Sequence, residues 1–348
     1  MRVPRGRLPQ DPALWHGFLR DYFCDKDAAA TESADDIHLH LNWPDDAERH
    51  IDPALDVGLR WWGRGVSLGS MWSARWRKGR IMTSLYDTWT LLSWCEWLTR
   101  VPSSTTEQVV ILHVDDHRDL GSPRLYLANG ALVDAITNEE VRLKDPVTVQ
   151  RAIESGAIGM GSFMTPFLWQ CPQVTVRHLC QPPKMQADMQ RELVLNLALD
   201  TLLDPESERL AIELVEGASG TEKYLGTSDT AKWSNNIEGR PALVHIDMDY
   251  FNNRYDGDSA WPQRARRLDP DLPTILSKID NLINALAASK ANIEDVSIAY
   301  SPGFFPAEFW QPVDQHLRAG LARILGQPRV PAPPNVGGRP RRRLSRGP

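Results

Sequence analysis

The stretch that most limits what this chain can fold into is Val109-Val110-Ile111-Leu112-His113-Val114-Asp115-Asp116-His117-Arg118-Asp119. Its first half, apolar and β-branched, predicts a strand buried on both faces, the kind found inside parallel sheets. Its second half sets Asp115, His117 and Asp119 at alternate positions. A strand period of two sends their side chains to one side of the backbone. Ligands of open α/β sheets bind beyond the carboxyl ends of the strands, which is where these residues fall. A second stretch repeats the design, with Ala242-Leu243-Val244-His245-Ile246 running into Asp247-Met248-Asp249. Two strands delivering acids to the same end build one carboxylate cluster. Such carboxylates repel and take up protons unless a counter-charge intervenes, and two divalent cations supply it. Oxygen-rich ligation with one imidazole suits manganese better than zinc. His113 and His245 precede their acids by two residues, either as hydrogen-bond partners that orient a ligand or as packed strand residues. Asp116, between the ligands, is expected to face away.

The rest of the chain reads as one α/β domain with additions. Residues 1–80 form an N-terminal extension, with an amphipathic helix over Leu14 to Phe23 and a strand over Ile37 to Leu41. Its Trp61, Trp62, Trp72 and Trp76 interleave with Arg64, Arg75, Arg77 and Arg80. Aromatic and basic residues mixed in this way can stack on nucleic acid. The net charge of -6 argues against a nucleic-acid partner, whose binders carry basic domains, and favours packing or a protein surface. Helices are expected over Thr83 to Leu98, Pro146 to Ser155, Met185 to Leu203, Pro273 to Ala288 and Gln311 to Leu325. Strands are expected over Gln173 to Leu179 and Val296 to Tyr300. Ser219 to Glu238 is polar and weakly patterned, part of an insertion at about 181–240. Residues 326–348, rich in proline, glycine and arginine, predict a disordered basic tail. No apolar run approaches the roughly 20 residues of a membrane helix, and the N-terminus lacks the apolar core of a secretory signal. Four scattered cysteines predict reduced thiols and a cytoplasmic compartment.

These motifs resemble a known family. Asp115-Asp116-His117-Arg118-Asp119 is similar to the Asp-x-His-x-Asp signature of the arginase/deacetylase superfamily, and Asp247-Met248-Asp249 to its later Asp-x-Asp signature. The wider wording, with Ser301-Pro302-Gly303-Phe304-Phe305-Pro306-Ala307-Glu308, resembles the atypical arginase-like branch. That branch contains the peptide arginases, which convert arginine to ornithine in ribosomally made peptides. The resemblance covers roughly Leu85 to Trp310. It implies a three-layer α/β fold over 81–325, with a mostly parallel central sheet flanked by helices. It also implies two manganese ions, with Asp115 and Asp247 bridging them, His117 and Asp249 completing one shell, and Asp119 serving the other. Two such cations share a water and lower its pKa. The hydroxide would attack the guanidinium carbon of an arginine in a precursor peptide, giving ornithine and urea.

Two departures from the pattern concern the site. Where the atypical branch has a histidine before a helix, this chain has Tyr86-Asp87-Thr88-Trp89; either Asp87 substitutes as an oxygen ligand, or one metal is weakly held or absent. Where ordinary arginases hold substrate with a glutamate at a strand end, it has Ala299-Tyr300-Ser301-Pro302. Glu308 is then the expected bidentate partner of the guanidinium, its plain alternative being an acid that favours a helix N-terminus. Asp256 and Asp258 stand next in line. Three other functions stay open: hydrolysis of a small guanidine such as agmatine, amide deacetylation by one zinc, and a non-catalytic binding protein with a vestigial ligand set.

Overall fold

In the computed structural model, which describes residues 1–33, 36–45, 50–217, 222–257, 261–263 and 269–326, Val110–Val114 is a strand whose residues are all buried. A continuous apolar run needs cover on both faces, and a central place in a sheet supplies it. Pro241–Asp247 lies beside it in parallel, with His245 opposite His113, and is buried throughout. Outward from this pair run Asn292–Ala299 and Ile81–Ser84 on one side, and Thr175–Leu179 and Tyr224–Thr227 on the other. These six strands are parallel.

The sheet as a whole is mixed, not mostly parallel. Among the described residues it has twelve strands. Arg75–Lys78 closes one margin antiparallel. Met189–Leu199, Glu208–Val215, Leu125–Ala128, Ala131–Asp134 and Glu140–Val141 extend the other. Each of these five joins its neighbours in antiparallel fashion. The helices form two packed sets: Trp89–Leu98 meets Pro146–Ser155 and Met164–Gln170, while Leu272–Ser289 meets Thr230–Ser234 and Trp310–Leu325. This is compatible with three layers.

Three local expectations change. The helix expected over Met185 to Leu203 is the strand Met189–Leu199, whose residues 192–199 pair with Glu208–Val215 and whose first three pair with Tyr224–Thr227. Tertiary pairing overrides the helical preference of its leucines. The helix expected from Thr83 begins only at Trp89, because Ile81–Ser84 is a strand on Asn292–Ala299. The polar stretch after Ser219 contains the parallel strand Tyr224–Thr227 and the short helix Thr230–Ser234. By contrast the helix Leu272–Ser289 starts where its signals put it: Asp271 accepts from the Thr274 N–H and a proline stands in the first turn.

At the N-terminus Arg2–Pro4, Asp27–Glu32 and Asp36–Asn42 form a three-stranded antiparallel sheet. The helix Trp15–Phe23 packs with it around Val3, Leu19, Phe23 and Ile37, joined by Leu202. Tyr22 Oη donates to Asp200 Oδ2 at 2.5 Å, tying this unit to the strand extension. The tryptophans and arginines after residue 60 pack within the chain. Trp72 stacks on Trp43 with centroids 4.4 Å apart. Arg75 lies 3.6 Å over Trp89, and Arg64 and Arg318 lie over Trp76. None of the four cysteines is disulfide-bonded. No helix among the described residues is long and apolar enough to cross a membrane. Residues 327–348, nearly all of the expected basic tail, lie outside the described residues.

Candidate metal centre

The strands Val110–Val114 and Pro241–Asp247 are neighbours whose connections leave in opposite directions. The first leads on to the parallel strand Thr175–Leu179, and the second to Asn292–Ala299 on the other side. Between them lies a topological switch point, the crevice where open α/β sheets bind ligands. Asp115 follows directly on one strand and Asp247 ends the other.

Beyond Val114 the backbone leaves the strand, so convergence does not come from the pleat as the alternation predicted. His117 N–H donates to Asp115 Oδ1 at 2.6 Å, closing a turn. Asp119 sits in the left-handed region at φ 53°, which aspartate tolerates better than most residues. Asp247 Oδ1 accepts from the Asp249 N–H at 3.1 Å, and Asp249 Oδ1 from the Asp116 N–H at 3.1 Å. The two acidic loops are thus bonded to each other.

Among the described residues three overlapping groups bring ligand atoms within 4.8 Å of one another: Asp115, His117 and Asp249; Asp87, Asp115 and Asp247; His113, Asp115, Asp119 and His245. Asp115 belongs to all three. Asp87 reaches the cluster because Ile81–Ser84 ends as a strand and releases it into a loop at the carboxyl edge. All six residues of the sequence-derived ligand set, Asp87 included, therefore share one place.

Burial in this crowd works on the charges. Burial first, and then Asp249, raises Asp115 to about 7. Burial and the neighbouring carboxylates push Asp87, Asp119 and Asp247 well above the ordinary range. For His117 burial works the other way, but Asp249 and the bonds to Asp115 and Asp256 outweigh it and raise it well above an ordinary histidine. Asp87 Oδ1, Asp115 Oδ2 and Asp119 Oδ2 are buried with no hydrogen-bond partner. Buried polar atoms of this kind are costly unless something answers them. Oxygen donors at this spacing fit divalent cations.

Behind the acids stand three buried histidines. His113 Nδ1 and His245 Nδ1 are 2.9 Å apart, with the rings stacked. His113 Nε2 faces the His117 carbonyl at 3.0 Å and so carries a proton, which makes His245 Nδ1 the donor to His113 Nδ1. His178 Nε2 donates to the Asp115 carbonyl at 3.0 Å, and its Nδ1 meets Tyr224 Oη at 2.6 Å. Burial keeps all three neutral, lowering His178 to about 4 and His245 to about 3. The sequence left His113 and His245 between packing and ligand support; they are packed against each other and lie against Asp115.

The cluster forms the floor of a cavity of about 740 Å³. Leu120, Met160, Ile212 and Leu214 supply apolar wall, Arg118 is exposed at the margin, and Asp25 enters from the N-terminal unit. Sequence reasoning did not find Asp25, since no local pattern relates it to residues ninety positions on. It also missed the role of Ser301, although the Ser-Pro-Gly wording at a strand end marked the place. Ser301, at φ 43°, donates from Oγ to Asp247 Oδ2 at 2.6 Å.

Glu308 lies elsewhere. It sits in the short turn Ala307–Phe309, outside the cavity lining, and its Oε1 accepts from Arg254 Nη1 at 2.7 Å. An arginine at that distance already answers the carboxylate's charge. Asp256 is outside the lining too, accepting from Lys184 Nζ at 2.8 Å and meeting His117 Nε2 at 3.1 Å. Asp258 lies outside the described residues. Asp116 turns from the cluster to Asn253 and Lys184.

Comparison with protein-family models and with curated proteins found no match to this chain.

Proposed function

We propose that this chain is a manganese-dependent hydrolase that cleaves the guanidinium group of arginine side chains in a peptide, leaving ornithine and releasing urea. The observation that carries the metal-dependent part is the meeting of Asp87, Asp115, His117, Asp119, Asp247 and Asp249 at the switch point, with three buried carboxylate oxygens unanswered. The guanidine and peptide parts rest on the short motifs resembling peptide arginases, and the cavity supports them. Its volume accommodates an arginine side chain, with apolar wall for the methylenes and acids at the floor.

Asp115 and Asp247 would help to hold the two ions, together with His117 and Asp249 for one and Asp119 and Asp87 for the other. When bound, such a pair supplies a water of lowered pKa and neutralises developing charge. The chain's own part is to hold the ligands. Ser301 fixes one oxygen of Asp247, His178 and the His113–His245 pair brace Asp115, and the apolar wall limits water around the reacting side chain.

The test is metal content together with product. Protein purified without chelator and supplied with manganese should hold two ions per chain and release urea from an arginine-containing peptide faster than from free arginine or agmatine. One zinc per chain with amide hydrolysis and no urea would replace this reading with deacetylation.

A further inference from the structure

We propose that a second cavity beside the metal centre binds a carboxylate of the same peptide whose arginine enters the first, with Arg124 as its partner. The inference deepens the proposed function and rests on its peptide substrate. The second cavity has a volume of about 520 Å³ and shares Cys24, Gly121 and Gly161 with the lining of the first. Its own wall carries Tyr22, Ser122, Arg124 and Arg209. Glycine forms much of the border between the two. The Gly121 N–H donates to the Gly161 carbonyl at 2.8 Å, and a Cβ on Gly121 would stand 2.7 Å from that oxygen. A Cβ on Gly161 would meet nothing within 4 Å, so the chain leaves open space there. A peptide with its arginine over the acids can lay a neighbouring group across this border.

Arg124 is a buried cation, 4% exposed, that the described residues leave unanswered. Its backbone is fixed, the N–H donating to the Ala157 carbonyl at 2.7 Å and the carbonyl accepting from the Ala135 N–H at 2.9 Å. Among the described residues no carboxylate forms an ion pair with its guanidinium. Its side-chain hydrogen bond runs from Nη2 to Cys24 Sγ at 3.0 Å, and Nε is buried without a partner. A guanidinium has five N–H donors, and burying one without a counter-charge is costly. The ring of Tyr22, 5.4 Å away, offsets only part of that. Arg209 lies over the same ring at 5.3 Å, but its Nε is 3.5 Å from Asp200. Ser122 Oγ is buried without a partner in the same cavity. The acid of this lining, Asp21, is exposed. A planar fork of donors fits a carboxylate, which accepts two N–H groups at once. Carboxylate is also the anion that a peptide carries, on a side chain or at its end.

A plain alternative is that Arg124 only packs the N-terminal unit against the sheet. Paired substrates separate the two roles, in the full chain loaded with manganese. One pair is N-acetylated, amidated arginyl peptides with aspartate or asparagine beside the arginine; the other is an uncharged arginyl peptide with a free or an amidated C-terminus. In wild type the acid member of one pair should exceed its amide in kcat/KM for urea release by about tenfold to a hundredfold. The pair that responds identifies side chain or C-terminus as the source. Arg124→Gln should bring the two members of that pair together, and Arg124→Lys should restore part of the difference. A packing role would lower both members alike and leave their ratio standing. Equal turnover of acid and amide by wild type would overturn the proposal, as would a ratio that survives in Arg124→Gln. If Arg124→Gln does not fold, Ser122→Ala decides: it should narrow the ratio about threefold, and an unchanged ratio removes the proposal. If the wild type releases no urea, the guanidine reading fails, and the second cavity is judged by calorimetry with the same peptides. A preference for the acid member that disappears in Arg124→Gln then upholds it, and no such preference removes it.

Discussion

Ser301 Oγ donates to Asp247 Oδ2 at 2.6 Å, while Asp247 Oδ1 accepts the Asp249 N–H. The acid ending one central strand is thus oriented by a residue two positions beyond the end of the next strand over. Ser301→Ala should leave the fold intact and weaken metal binding by about tenfold to a hundredfold, as loss of a ligand's outer partner typically does. Metal titration of the apo protein checks this, and unchanged affinity would show that Asp247 is positioned without the hydroxyl.

Asp247 and Asp116 are both acids of the same loop pair, yet they face different partners. Asp247→Ala should remove metal and abolish turnover together. Asp116→Ala, whose carboxylate meets Asn253 and Lys184 at 2.8 and 3.0 Å, should retain the metal. Metal analysis of both purified variants decides it; equal loss would mean that the ligand assignment along these loops is wrong.

The metal-free protein should depend on pH in a way that metal reverses. Folded Asp115 titrates at about 7, with Asp87, Asp119 and Asp247 well above their usual range. Unfolded carboxyls titrate at about 3.9. Between those limits the folded chain holds protons that the unfolded chain lacks, so this stability is present in acid and lost as pH rises through about 7. The neutral histidines oppose it below about pH 6.5, where unfolded histidines take up protons that His113, His178 and His245 do not. Chelator-treated protein should therefore melt higher at about pH 6.5 than at about pH 8.5, and lower again in stronger acid. Saturating manganese should invert the upper arm, since protons then compete for its ligands. A flat profile for the metal-free protein between those two values would refute the account.

Glu308→Gln should have little effect on chemistry. Its carboxylate is paired with Arg254 outside the cavity, with the side chain 39% exposed, so the change should alter kcat/KM by less than about twofold. A loss of about tenfold or more, the scale of a removed charge-assisted contact, would return the substrate contact to Glu308.

How far the sequence could be read depended on the range of the forces involved. The buried strands Val110–Val114 and Pro241–Asp247 announce themselves because continuous apolar runs leave few alternatives. Their acids could be placed at one sheet edge because strand direction alone decides that. Met189–Leu199 was opaque, since its strand state depends on Glu208–Val215 across a turn and not on its own leucines. Asp87 was legible as a candidate but not as a loop residue, because the pairing of Ile81–Ser84 with Asn292–Ala299 spans two hundred positions. Asp25 was invisible for the same reason: its meaning lies in the backbone of Met160.

The cavity's floor and one of its walls rest on separate cores. The acids hang from strands packed in the main apolar cluster, whereas Asp25 follows a helix seated in the small N-terminal one. Such a division of labour lets one half change at its own pace. Substitutions around residues 12–33, or in the strand that carries Ile212 and Leu214, would alter which side chains are admitted while the ligand cluster stays as it is. A lineage built on this plan can acquire new substrates without having to reinvent its chemistry.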